Sequence, residues 1–327
     1  MWTRREFGKL ALGGVPAALL GKSAIGSLLA AADRPNSLIN GVQVGTITYS
    51  YRSMPDQGGE ATLKYIVDSG ISAIELMSGP AESFAGAPSG RGGGGGGGGG
   101  RRGQPTAEQQ AAQRTAGDQL KQWRTSVSMD KYRALRKMYN DAGVTIYAWK
   151  CLNPNMSDEE YEYVFNVAEA LGCTHTTLEL TDNDAQLKRI GEFAEKRKIY
   201  AAYHTHVQGS MTVFDKAFAA SKGNMANVDL GHYVAGGNVG GTTLQFLEKF
   251  HDRVASFHLK DRTTPDHGAK NLSWGTGETP LKEILQLVKK NKWTMPATIE
   301  LEYDVPAGSD AVKEVAKCLQ YCKAALA

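Results

Sequence analysis

The chain has 327 residues, with 37 basic and 34 acidic side chains and a formal net charge of +3. That excess lies wholly in residues 1–32, where Arg4, Arg5, Lys9 and Lys22 face Glu6 alone, so the remainder is formally neutral. A basic face for nucleic acid is therefore not indicated, and about 295 residues are left for one large domain with a substantial core.

The chain opens with Thr3-Arg4-Arg5-Glu6-Phe7-Gly8-Lys9, continues in an Ala/Gly/Leu-rich run to Leu29, and exits on Ala30-Ala31-Ala32. A charged start, an apolar middle and a small-residue exit are the parts of a secretory signal. Its paired arginines resemble the twin-arginine signal. Gly13, Gly14, Pro16, Gly21 and Lys22 interrupt the run, which argues against a membrane span of about 20 apolar residues. Residues 1–32 are thus expected to direct export, to the periplasm or beyond, with no other membrane contact.

Residues 40–327 alternate short apolar strand patterns with amphipathic helix patterns. Strands are expected at Gln43–Ser50, Ala73–Met77, Thr145–Lys150, His175–Leu180, Ile199–His206, Met225–Tyr233, Val254–Asp261 and Ala297–Tyr303. Helices are expected between them, among them Glu60–Ser69, Asp130–Ala142, Asp158–Leu171, Ala185–Lys196, Pro280–Lys290 and Asp310–Ala325. Eight such alternations predict an α/β fold, a closed (β/α)8 TIM barrel. An open doubly wound sheet is less favoured, because no GxGxxG turn follows the first strand.

Residues 78–117 differ in composition, being rich in Gly, Ala, Gln, Pro and Arg, with an unbroken glycine run from Gly92 to Gly100. They read as a flexible insertion within the barrel, at its mouth because they follow strand two. Arg91, Arg101 and Arg102 are too few for a nucleic-acid tail on a neutral chain. Cys151, Cys173, Cys318 and Cys322 form no CxxC pair and read as structural thiols.

Strands of a parallel barrel are buried on both faces and should be almost wholly apolar. Polar residues at their C-terminal ends therefore point to an active site, which this fold places at that end. Strand four supplies Glu179, strand five His204 and His206, and strand six Asp229 followed by His232. Strand seven supplies His258 and Lys260, and strand eight Glu300 and Glu302. Glu75 and Lys150 end strands two and three and are candidates to line the pocket. Burying so many ionisable groups together is costly unless they are paired or hold a cation. A mixed carboxylate and imidazole set suits a divalent ion such as Mn, Co, Zn or Mg.

Asp229-Leu230-Gly231-His232, Phe257-His258-Leu259-Lys260-Asp261, Trp274-Gly275-Thr276-Gly277-Glu278 and Ile299-Glu300-Leu301-Glu302-Tyr303 follow one another in this order. In them the chain resembles the xylose isomerase-like sugar phosphate isomerase/epimerase family over nearly all of residues 40–325. The resemblance implies one divalent metal, with Asp229, His258 and Glu300 as its firmest ligands and His204 and Glu179 completing the set. It implies substrate contacts from His232 and Lys260, to which His206, Glu302, Lys150 and Glu75 are added as further candidates. Where sugar epimerases of this family carry a catalytic Glu on strand five, this chain has His204, and Glu179 is the carboxylate that would replace it.

The implied chemistry is proton removal next to a carbonyl of an unphosphorylated sugar or keto-sugar. Glu179 and Glu300 are the expected acid–base pair, assisted by Lys260, with Glu302 as the alternative acid. Isomerase or epimerase is the first reading, and a 3-keto-glycoside or inosose-type lyase or hydratase the second. A non-catalytic carbohydrate-binding protein and an endonuclease IV-like repair enzyme are the rivals. The Gly-Thr-Gly turn before Glu278 is a further candidate, for phosphate. A homo-oligomer is left open.

Overall fold

The computed structural model describes residues 34–88 and 106–327. The expected export signal and the glycine run lie outside the described residues. Eight parallel strands form the centre: β1 (Val42–Ile47), β2 (Ala73–Met77), β3 (Thr145–Lys150), β4 (His175–Glu179), β5 (Tyr200–His204), β6 (Asn224–Asp229), β7 (Val254–Leu259) and β8 (Ala297–Ile299). Each pairs with the next, and β8 pairs with both β7 and β1, so the sheet closes on itself as the (β/α)8 barrel that the alternation predicts. A short strand, Leu38–Ile39, folds back antiparallel onto β1.

The outward-facing side chains of the strands meet the helices in one apolar layer that includes Ile74, Leu76, Trp149, Leu178, Val228, Phe257 and Ile299. Most of the helices bury apolar residues there, whereas Ala107–Arg124 buries none. In the last helix, Ala311–Leu326, Asp310 caps the start by accepting from the Lys313 amide, and Val315, Cys318, Leu319 and Cys322 are buried. Helix Asp158–Leu171 stops at Gly172, whose φ of 75° lies in the left-handed region that favours glycine. The four cysteines are free thiols.

The structure corrects three boundaries. Strand pairing stops earlier at the C-terminal rim than the apolar pattern suggests: β1 ends at Ile47 and β8 at Ile299, so Glu300 and Glu302 extend beyond the ladder. Residues 230–235 are a helix rather than the end of strand six, because the Asp229 carboxylate accepts from the His232 amide and starts a new turn. The flanks of the expected flexible insertion are helical, at Ser78–Ala85 and Ala107–Arg124. Thr106 and Gln109 form a capping box at the start of the second.

Glu82 ties these two flanks together. Its carboxylate accepts from Arg124 at 2.8 and 3.2 Å and from the Tyr163 hydroxyl at 2.9 Å. Both acidic and basic partners are largely buried, which favours a bidentate pair of defined geometry.

Behind β5 to β7 an aromatic cluster seals the helix layer. Phe246 lies 5.9 Å from Phe214, 5.7 Å from Tyr233 and 5.0 Å from Phe250 between ring centroids. Phe246→Ala should cost about 3–5 kcal/mol, read as a lower urea midpoint with an unchanged m-value.

Candidate metal and catalytic site

The interior of the barrel carries a column of hydrogen-bonded polar side chains. His175 Nε2 meets the Ser256 hydroxyl at 2.9 Å, and Ser256 donates to Asn227 Oδ1 at 3.0 Å. Asn227 Nδ2 reaches the Glu75 carboxylate at 3.3 Å, and Thr177 donates to Glu75 at 2.6 Å. Glu75 Oε2 in turn lies 2.7 Å from His258 Nε2, and His258 Nδ1 lies 2.7 Å from Glu300 Oε2. These groups stand on β2, β4, β6 and β7 and just past β8, so the closed sheet brings together residues that are far apart in sequence.

At the top of this column, one ligand atom from each of His204, Asp229, His258 and Glu300 falls within a mutual spread of 4.8 Å. All four are buried. His204 Nδ1 and Asp229 Oδ2 have no hydrogen-bond partner. Unpaired buried polar atoms are costly, and two of them aimed into a carboxylate and imidazole cluster fit a bound divalent cation. Asp229 Oδ2 also lies 3.0 Å from the Lys260 ammonium, in an ion pair without hydrogen-bond geometry.

Lys260 stands at the centre of the remaining charge. Its Nζ is 3.0 Å from Glu300, 2.6 Å from Glu302 and 3.1 Å from His232 Nε2. Burial disfavours its ammonium, yet Asp229, Glu300 and Glu302 outweigh that and raise its pKa. The same balance raises His258 to about 10, where burial is overcome by Glu75 and Glu300. Burial pushes Glu75 upward, and the His258 imidazolium reverses this and lowers it to about 2. Burial together with Lys150 and His258 holds His204 neutral, well below the usual imidazole range. Burial and Lys260 lower His232 to about 2. A neutral His204 is competent as a ligand, whereas His258 must release its Nδ1 proton to become one, which couples cation binding to proton release.

The expected site residues therefore divide. Asp229, His258, Glu300 and His204 converge. Glu179 does not join them: it ends β4 half-exposed, 2.9 Å from Lys150 and 3.7 Å from His206, in a group of its own with His204 and His206. Glu75 is not available to substrate, because it is fully buried beneath His258; its place is to hold that ring. Lys150, His206, His232 and Glu302 border the mouth. The Gly-Thr-Gly turn is occupied from within. Asp261 accepts from the amides of Gly275, Thr276 and Gly277 at 2.8, 3.1 and 2.9 Å, so these donors are not free for phosphate.

Sequence reasoning missed Asn227 and Arg262. Asn227 lies two residues before Asp229 on β6 and bridges Ser256 to Glu75; a polar residue at an inward-facing strand position was its only signal. Arg262 contacts His232 Nδ1 and the Ala269 carbonyl, and its Nε is buried without a partner. A cavity of about 540 Å³ opens at the other end of the barrel, lined by Tyr147, His175, His251 and Trp293 among others. It contains one carboxylate, Asp252, and none of the clustered ligands.

No family model matches the chain, and no curated protein matches it in sequence. Solved structures do match in fold. A xylose isomerase domain protein from Planctomyces limnophilus superposes with a TM-score of 0.57 over 87% of this chain and 96% of that one, at 13% identity. The probable 3-DHS dehydratase AsbF from Bacillus anthracis gives 0.58 over 85% and 98%, at 12% identity. D-allulose 3-epimerase from Methylomonas sp., in complex with D-allulose, gives 0.52 over 89% and 98%, at 12% identity. These likenesses establish the xylose isomerase-like TIM-barrel fold.

The position of Glu75 makes a prediction about metal affinity. Glu75→Gln keeps the volume but removes the charge that orients His258 from below. Divalent-ion affinity measured by calorimetry should fall roughly 10–100-fold, with the far-UV spectrum unchanged.

Proposed function

We propose that this chain is a divalent-metal-dependent sugar isomerase or epimerase that removes a proton from a carbon next to a carbonyl. The observation that carries the reading is the convergence of His204, Asp229, His258 and Glu300, with two buried ligand atoms left without a hydrogen-bond partner. These residues would hold the cation, which supplies Lewis acidity at a substrate oxygen. Glu75 fixes the His258 ring, and Lys260 holds Glu300 and Glu302 in place.

Proton transfer is assigned to carboxylates at the mouth. Glu179 receives the proton on one side of the substrate, its carboxylate oriented by the Lys150 ammonium 2.9 Å away. Glu300, drawn toward His258 and Lys260, serves chiefly as a ligand. Glu302 accordingly takes the acid role opposite Glu179, with Lys260 2.6 Å away as its partner. His206 and His232 meet substrate hydroxyls, their rings 5.0 Å apart across the mouth. The substrate class is an unphosphorylated sugar or keto-sugar, a reading supported by Asp261 occupying the amides of the Gly-Thr-Gly turn that was the candidate for phosphate.

A lyase acting on a keto-sugar is the second reading. It is favoured by His204 standing where the resemblance expects a catalytic Glu, since a different base position permits loss of a β-oxygen instead of proton return. Export rests on residues 1–32 alone, whose Arg4-Arg5 signal pattern supports it.

Incubating the metal-loaded protein with sugars and 3-keto glycosides in D2O should incorporate deuterium at a carbon next to a carbonyl, as seen by NMR. Chelation should abolish the exchange and re-addition of Mn restore it. Glu179→Gln should lower the rate by about 10²–10⁴-fold; an unchanged rate would remove Glu179 from the mechanism.

A further inference from the structure

We propose that Glu179, His204 and His206 form a second cation site at the mouth of the barrel, suited to a transition ion such as Zn(II). One ligand atom from each of the three lies within 4.8 Å of the others. His206 Nε2 and Glu179 Oε2 are 3.7 Å apart, and the His204 and His206 rings stand nearly perpendicular with centroids 5.2 Å apart. Glu179 binds Lys150 through Oε1 at 2.9 Å, which leaves Oε2 turned toward His206. The ammonium thus orients the carboxylate without occupying the oxygen the ion would take.

His204 is the link between the two groups. It is 2% exposed, its Nδ1 has no hydrogen-bond partner, and its ring centroid is 4.6 Å from that of His258. The first site retains Asp229, His258 and Glu300 when His204 serves the second, and an ion held there withdraws Glu179 and His206 from the proton-transfer and substrate roles given above. Each site then has three protein ligands and an open position, the number found in catalytic metal centres. The donor sets differ in character. Two carboxylates and one imidazole accept Mg(II) or Mn(II), whereas two imidazoles and one carboxylate favour the ions at the Zn(II) end of the series. The second site lies on the solvent side of the first, because Glu179 and His206 are about half exposed while the first set is buried.

The inference rests on the first site being a cation centre, and metal stoichiometry separates the two claims. The full chain, stripped with chelator, is titrated with Zn(II) and with Mg(II) by calorimetry, and bound metal is counted after gel filtration. Two equivalents of Zn(II) and one of Mg(II) are expected. His206→Ala and Glu179→Gln should each bind one equivalent of Zn(II), with an unchanged far-UV spectrum. Asp229→Asn should keep the equivalent that those two variants lose. One equivalent of Zn(II) in the unaltered chain, or two persisting in both rim variants, overturns the second site and leaves the first standing. No bound metal at all overturns both.

Discussion

The contact between Glu75 and His258 organises the centre of this barrel. A carboxylate and an imidazole, both fully buried, are held 2.7 Å apart by strands that do not pair with each other. Neither charge could be left there alone, since an uncompensated buried ion costs several kcal/mol. Each therefore requires the other, and Thr177 and Asn227 satisfy what remains of the Glu75 lone pairs. The result is a ring with one nitrogen anchored below and the other presented upward to Glu300 and Asp229. The polar interior gives up some hydrophobic stabilisation to fix that single orientation.

Above this anchor the mouth is nearly balanced in charge. Lys150, Lys260 and Arg262 stand among Glu179, Asp229, Glu300 and Glu302. Lys260 touches three of these carboxylates, so any cation that enters must share them with an ammonium already present. Gly231 makes that packing possible, because a Cβ there would sit 2.3 Å from Lys260 Cγ and 2.5 Å from its carbonyl oxygen. A helix turn, a lysine and the Asp229 carboxylate are thus packed as one unit. Changes in any of them will be felt by the others.

Much of this was legible in the sequence because the barrel imposes a rule on every strand. Apolar runs ending in one or two charged residues gave the fold and the rim, and Asp229, His258 and Glu300 were found as deviations from the apolar pattern. The pattern was least informative where tertiary contacts override it. Glu75 and Glu179 are alike in having apolar neighbours on both sides, yet Glu75 sits in the middle of β2, sealed beneath His258, and Glu179 ends β4 and faces solvent. Depth along the strand separates them, two residues from the end for Glu75 and the last position for Glu179. The helices flanking the glycine run were hidden for a similar reason: their alanines, glutamines and glycines carry little periodicity. A capping box and the pairing of Arg124 with Glu82 define them instead.

That last pairing has a consequence for how the chain tolerates change. Glu82 and Arg124 join the departing and returning segments beside the barrel, so the polypeptide between them forms a closed side branch. The entropic cost of closing such a branch grows only with the logarithm of its length. Strand register in β2 and β3 is consequently insulated from whatever is inserted there, and the barrel has a natural splice point. A glycine tract can lengthen or shorten at this position, or a whole foreign module be grafted in, while the residues around His258 keep their places.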